Sequence, residues 1–401
     1  MKGRLLVHAF EYFPPQVLNL VLKLLVSSPL DTAHPISRKT PSELDVSRPL
    51  LSVIIPCYNH GHYLGEAVDS ILGQTLQDVE IIVVDDGSDD PDTRRSLSEF
   101  QRPRTKLISH QKNRGLPAAR NSGITHARGK YICCLDADDK LHPTYLEKCL
   151  CLLEANHGID FVYSWTQVFG QEERVWHAPQ FDPEEIIHYN QLNPPAVFRR
   201  KVWQVVGGFR EEMDRGYEDW EFWIRLTRNG SRGYRIPEKL IFVRRVGKSF
   251  IHRAQDRHQE LVNQIQDLNP DIYRDLSWLQ EVKANYREVY AHPFQINLDR
   301  SGSFSRFEQP VLGWNGASED RLQRDLDKII AVIHMHGGDF IFISLRPLGE
   351  DVLDTLFSQT PYVYVLPHFL PRFTWRPFLN ELMIEDRKVQ PVCWQNQPEK
   401  Q

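Results

Sequence analysis

Residues 130–139 read KYICCLDADD, an apolar run from Tyr131 to Leu135 that stops at three closely spaced carboxylates, Asp136, Asp138 and Asp139. A short unbroken apolar run bounded by polar residues suits a strand buried on both faces, because a strand with one wet face would alternate. The same pattern occurs twice upstream. LSVIIP (51–56) runs into Cys57, Tyr58 and the turn Asn59-His60-Gly61, and EIIVV (80–84) runs into Asp85-Asp86-Gly87-Ser88. Between and after these runs, Leu64, Val68, Ile71 and Leu72 recur at helical spacing, 106–109 forms a weaker strand, and 116–127 and 145–153 suit helices. Strands alternating with helices imply an α/β fold with a mostly parallel sheet flanked by helices. Ligands of such sheets bind beyond the carboxyl ends of the strands, so three polar strand ends converge on one edge.

The rest of the chain sets the frame. Its 401 residues are 41% hydrophobic, enough for a full core and two or three domains. With 48 basic against 53 acidic side chains the formal charge is −5, and no basic run appears, which disfavours nucleic acid as a partner. Of the six cysteines, Cys57, Cys133, Cys134, Cys149, Cys151 and Cys393, most lie in apolar runs and none forms a C-x-x-C pair, as expected of a reduced, cytoplasmic compartment. The apolar stretch 17–26 is half the length of a bilayer span. Asn19 and Lys23 share one face of it, compatible with peripheral membrane contact, although docking onto its own domain is the simpler expectation. The expected organisation is an N-terminal extension and linker (1–49), a regular α/β domain (50–252), a helical connector (253–309) and a partial α/β region (310–401), whose strands fall at 328–334, 339–344 and 362–367.

Three carboxylates packed at a strand end repel one another unless a cation or hydrogen bonds compensate. Oxygen donors of this kind select Mg²⁺ or Mn²⁺, which are commonly held by one or two carboxylates and completed by substrate phosphates. An acidic loop alone reads as a turn or a helix cap. Two such loops after buried strands, followed by Glu218-Asp219 at the start of a helical pattern (Trp220, Trp223, Ile224), are harder to ascribe to capping. Taken alone, Glu218-Asp219 would be acids favourably placed near a helix dipole. Other phosphate and hydrolase motifs are missing: Gly247-Lys248-Ser249 lacks the earlier P-loop glycine, where Phe242 stands, and there is no G-x-G-x-x-G, G-x-S-x-G or H-E-x-x-H.

As an ensemble, SVIIPCYN (52–59), EIIVVDDGSDD (80–90), NRGLPAARNSGITHARGKYICCLDADD (113–139), VFRRKVWQVVGGF (197–209) and YEDWEFWIRL (217–226) resemble a family 2 glycosyltransferase with the GT-A fold. The resemblance covers about residues 50–252. It implies a nucleotide-diphosphate sugar donor, UDP-linked by family frequency, and a saccharide or lipid-linked acceptor in cell-surface polysaccharide synthesis at the inner face of the membrane. It further implies that Pro56, Tyr58, Asp85 and Asp86 line the nucleotide, that Asp136 approaches the ribose, and that Arg120 opens onto the same edge. Asp138, with Asp139 as the ambiguous neighbour and His252 as a further candidate, would hold Mn²⁺ or Mg²⁺. Asp219 would be the base and Glu218 would orient acceptor or loop, in one displacement with inversion. Trp220 and Trp223 read as core or acceptor wall, and Arg244, Arg245 and Lys248 as a solvated basic face or a closure over the diphosphate.

Two other readings compete. A sugar-1-phosphate nucleotidylyltransferase would also use acids and Mg²⁺, but its glycine-rich loop after the first strand is missing. A catalytically silent GT-A-fold binding module would have no need of Asp138 or Asp219. The tail, with FISLRPLGEDVLD, weakly resembles the opening of a GT-B-like glycosyltransferase domain; an accessory acceptor-binding or dimerisation region is the alternative.

Overall fold

The computed structural model describes residues 49–192, 194–247, 250–289, 311–314, 341–344, 348–360 and 362–369. The expected extension with its apolar run at 17–26, Lys248, Cys393 and the strand at 328–334 lie outside the described residues. The described chain falls into two compact units, one holding residues 49–289 and the other the strands and helix between 311 and 365.

The first unit is built on a nine-stranded sheet. Strand β1 (Leu51–Cys57) pairs in parallel with β2 (Val79–Asp85) and β4 (Tyr131–Cys134), and β3 (Thr105–Ser109) adds in parallel to the outer edge of β2. Every residue of β1 and β4 is buried, which is why neither alternates. Helices α1 (Gly61–Leu72), α2 (Pro91–Ser98) and α3 (Leu116–His126) link these strands, and α4 (Tyr145–Ala155) follows the two-residue strand β5 (Lys140–Leu141). The sequence reading anticipated neither α2 nor β5; the other elements match its expectation within a residue or two.

Beyond β4 the sheet turns mixed. The short strand β8 (Val197–Arg199) inserts antiparallel between β4 and β6 (Phe161–Gly170), and the long β9 (Gly233–Arg245) runs parallel to β6. β7 (Arg174–Trp176) and β5 complete the sheet as antiparallel additions to β6 and β9. Six of the strands thus share one direction and the sheet is mostly parallel, as expected.

Helix α5 (Arg200–Val206) leads through Gly207 and Gly208, both at positive φ, towards α6 (Glu218–Arg228). One wall of the core is aromatic: Phe161, Phe198, Phe222 and Trp223 are all buried, with ring centroids 5.0–5.9 Å apart. Helices α7 (Phe250–Asp256), α8 (His258–Leu268), α9 (Pro270–Tyr273) and α10 (Trp278–Val289) follow β9. Read from sequence as a connector, this segment instead buries Ala254, Leu261, Ile265, Ile272 and Trp278 in the same core as Ile54 and Ile132. The residues between 250 and 289 therefore belong to the body that carries the site.

In the second unit β10 (Val311–Trp314), β11 (Ile341–Ser344) and β12 (Tyr362–Val365) form a parallel three-stranded sheet, with α11 (Glu350–Gln359) between the last two. Within the expected strands 339–344 and 362–367, residues 341–344 and 362–365 are extended. The second is shorter than expected because the chain turns helical at Leu366, beside Pro367, which cannot donate to a ladder. No helix among the described residues is long and apolar enough to cross a membrane.

Candidate active site

Asp136, Asp138 and Asp139 follow β4 in a tight turn closed by Asp139 N donating to the Asp136 carbonyl at 3.1 Å. The turn gives the three carboxylates different surroundings. Asp136 and Asp138 keep 34% and 26% of their side chains exposed, whereas Asp139 is buried. Asp139 Oδ1 accepts from the Arg244 backbone N–H at 2.9 Å, and burial together with its two acidic neighbours pushes its carboxyl well above the usual range. Asp139 therefore staples β9 to the acidic turn. Asp138 is also raised, first by burial and then by Asp136, and its Oδ2 lies 4.0 Å from His60 Nδ1.

Arg120 is completely buried and faces two ways. Its Nη2 donates to Asp136 Oδ1 at 2.9 Å and its Nη1 to Glu218 Oε1 at 2.6 Å. Arg120, expected to open onto the ligand edge, is instead committed to this pair of carboxylates. Its helix face is lined by Ala119, Gly123 and Ile124, and a guanidinium among them is stable only because carboxylates meet it from both sides. Asn121 is likewise committed, bonding Phe209 N–H and C=O and Trp203 Nε1.

Glu218 and Asp219 open α6, where acids complement the helix dipole. Tyr217 before them takes φ 59°, the left-handed region rare for a tyrosine. Burial lifts Glu218 up to about 7, against the pull of Arg120. Asp219 is also raised by burial, opposed by Arg120 and by a 2.8 Å hydrogen bond from Asn190 Nδ2 to its Oδ2. One turn on, the fully buried Glu221 binds Arg225 at 2.7 Å, Arg210 at 3.0 Å and Asn269 at 3.0 Å. Arg225 in turn caps the carbonyls of Val206 and Gly208 at 2.7 Å each. The acid pair thus sits on a helix anchored to the α5 turn and to the α8–α9 junction.

At the other strand ends, Tyr58 is exposed and Pro56 is buried in the parallel pairing of β1. Asp85 Oδ1 accepts from Ser88 N–H at 2.9 Å, holding its own loop. Asp86 is turned inward: His110 Nδ1 lies 2.6 Å away, and the Arg114 and Gly115 N–H groups donate at 3.0 and 2.8 Å. Asn59, at φ 58°, bonds Asp89 and the backbone N–H groups of Asp89 and Asp90, tying the first loop to the second.

Some expected members do not assemble. His252 lies half-buried on α7, and among the described residues no three His, Cys, Asp or Glu side chains are grouped to hold a metal, so Asp138, Asp139 and His252 form no cage. Arg244 does not lie free to close over a phosphate. Its guanidinium sits over the rings of Tyr63 and Phe169 at 4.5 and 4.6 Å and bonds Glu66 and the Asp138 carbonyl. Trp220 and Trp223 are core; Trp220 Nε1 donates to the Ile186 carbonyl at 2.6 Å. Two neighbours of the site carried no signal in the sequence. His60 is one polar residue in a polar turn, and Asn190 lies in the aperiodic stretch between β7 and β8.

Comparison with known proteins places this arrangement. The sequence model of glycosyl transferase family 2 matches residues 52–214. An uncharacterized glycosyltransferase of Methanocaldococcus jannaschii is 30% identical over 230 residues, covering 52% of this chain and 78% of that protein. A chondroitin synthase of Escherichia coli is 32% identical over 188 residues, 45% of this chain but only 27% of the synthase. Among solved structures, S. aureus TarS 1-349 in complex with UDP-GlcNAc aligns at 20% identity and a TM-score of 0.45, over 54% of this chain and 65% of that one. With the family segments in order along one sheet edge and a relative matched over most of its length, the chain belongs to glycosyltransferase family 2.

Proposed function

We propose that the chain transfers a sugar from a nucleotide-diphosphate donor, UDP-linked by family frequency, to a hydroxyl of a saccharide or lipid-linked acceptor. Polysaccharide assembly is the process this suggests, in keeping with the chondroitin synthase among its relatives. The observation that carries the reading is Arg120, which fixes the acidic turn after β4 and the acid pair of α6 on one edge of the sheet.

A divalent cation fits the residues present. Asp138 offers a partly exposed hard-oxygen carboxylate with a raised pKa, beside a second carboxylate in Asp136, and the protein supplies no closed cage of its own. That is the donor set expected where substrate phosphates complete the coordination. Bound there, Mn²⁺ or Mg²⁺ supplies positive charge that stabilises the departing diphosphate. Asp138 is the residue that would hold it, with Asp139 acting through the position of Arg244.

The remaining chemistry belongs to the chain. Asp219 takes the proton of the acceptor hydroxyl as that oxygen bonds the anomeric carbon. The bond from this carbon to the diphosphate oxygen breaks in the same displacement, its electron pair leaves on the diphosphate, and the anomeric configuration inverts. Glu218, bound to Arg120, holds the helix start rather than the proton. Tyr58, exposed at the end of β1, would meet the nucleotide base.

The test is nucleotide release from a panel of UDP-, GDP- and dTDP-sugars with Mn²⁺, Mg²⁺ or EDTA, in wild type and Asp138→Ala. Metal-dependent turnover of one donor, lost in the variant, supports the reading. Turnover indifferent to EDTA and to the substitution contradicts it.

A further inference from the structure

Asp219 does not stand alone on its helix. The loop between β7 and β8 reaches it with one side chain, Asn190, whose Nδ2 donates to Asp219 Oδ2 at 2.8 Å. This loop is stiffly held. Trp220, next to Asp219, donates to the Ile186 carbonyl at 2.6 Å, so loop and helix are joined at two adjacent positions. Gln191 and Asp182 exchange hydrogen bonds at 2.8 and 2.9 Å across the base of the loop, and Leu192 is fully buried in the core. Asn190 is thus flanked by an anchored residue on its C-terminal side and presents its amide from a fixed position.

We infer that Asn190 is a positioning residue for Asp219, holding one carboxylate oxygen so that the other is presented to the acceptor hydroxyl. This rests on the assignment of Asp219 as base. A carboxylate has several acceptor sites, and a neutral side-chain donor on one oxygen, beside the backbone hydrogen bond that Trp220 gives the group, helps fix its plane without adding charge. An amide suits this task better than Lys or Arg, which would lower the basicity of the group much further. The charged and titratable groups that also bear on Asp219 are Arg120, Asp136, Glu218 and Tyr217. Only Asn190, from outside helix α6, gives it a side-chain hydrogen bond among the described residues.

Asn190→Ala and the isosteric Asn190→Asp test this in the full chain, beside Asp219→Asn. Three readouts are needed: binding of UDP with Mn²⁺ by calorimetry, turnover across pH with the donor active in wild type, and the side-chain ¹³C titration of Asp219, assigned with Asp219→Asn. In Asn190→Ala, UDP binding stays within about twofold, kcat falls by roughly 10- to 100-fold, and the Asp219 midpoint moves to higher pH. Asn190→Asp, equal in shape but a like charge, moves it further. An unchanged midpoint and an unchanged kcat in both variants overturn the inference, as does a loss of kcat that follows thermal stability with no change in titration. Full turnover in Asp219→Asn instead overturns the underlying assignment of the base.

Discussion

Arg120 Nη1 lies 2.6 Å from Glu218 Oε1, joining a helix after β3 to a helix start 98 residues later, with the guanidinium sealed from solvent. Because its other nitrogen holds Asp136 at 2.9 Å, one cation balances two carboxylates from opposite sides of the candidate site. Arg120→Ala would leave Glu218 buried beside Asp219 without its counter-charge. Breaking such a pair costs about 3–5 kcal/mol. Arg120→Lys keeps the charge but not the fork, so it should restore part of the stability and little of the turnover. Urea unfolding and nucleotide release on both variants check this; equal turnover in wild type and lysine variant would contradict it.

The neighbouring carboxylates Asp138 and Asp139 should separate by readout. Asp138→Asn is expected to abolish detectable Mn²⁺ binding with little loss of stability, since its carboxylate is partly exposed. Asp139→Ala removes the acceptor of the buried Arg244 N–H and should destabilise the fold by about 1–3 kcal/mol. Mn²⁺ titration followed by electron paramagnetic resonance, paired with thermal melts, distinguishes them. Reversed behaviour would make Asp139 the ligand.

The pH dependence of turnover follows from the surroundings of Asp219. Burial raises its carboxyl, so the base is lost to protonation at a higher pH than an ordinary aspartate, whose midpoint is about 4. kcat should therefore fall as pH decreases through a midpoint above that value and be restored as pH rises. Glu218, at about 7, titrates beside it, so the acid limb belongs to the pair. A flat rate down to pH 4 would show that Asp219 does not take the proton.

Away from the site, Lys148 and Glu238 form a completely buried ion pair at 2.5 Å, and Glu238 is held down to about 2 by Lys148 despite its burial. Lys148→Met alone should cost about 3–5 kcal/mol by taking away the main counter-charge of a carboxylate whose other neighbour is His368 at 3.3 Å, whereas Lys148→Met with Glu238→Leu should be far milder. A double variant as unstable as the single would contradict this account of the pair.

The parts of this architecture legible in the sequence are those written in short-range pattern. The unbroken apolar runs of β1, β2 and β4 announced a buried parallel core, and the carboxylates at their ends marked the edge where chemistry sits. The helical spacing after Glu218 located the acid pair. What depends on distant pairing was not legible. Arg120 reads as an ordinary helix residue until Asp136 and Glu218 are seen to meet it, and β8 looks like a fragment until it inserts antiparallel beside β4. Asp86 looks open in the sequence, yet the fold turns it towards His110 and the 114–115 backbone. Asn190 lies where no periodicity exists, and its importance is set entirely by what packs against its loop.

The most direct test of the central claim compares Asp219→Asn with wild type for sugar transfer and for UDP–Mn²⁺ binding in the same preparation. The account predicts donor affinity within about twofold of wild type and transfer reduced by at least roughly 100-fold, the scale of a lost general base. Transfer at the wild-type rate with intact donor binding would contradict the assignment of Asp219 and, with it, the mechanism proposed for this edge of the sheet.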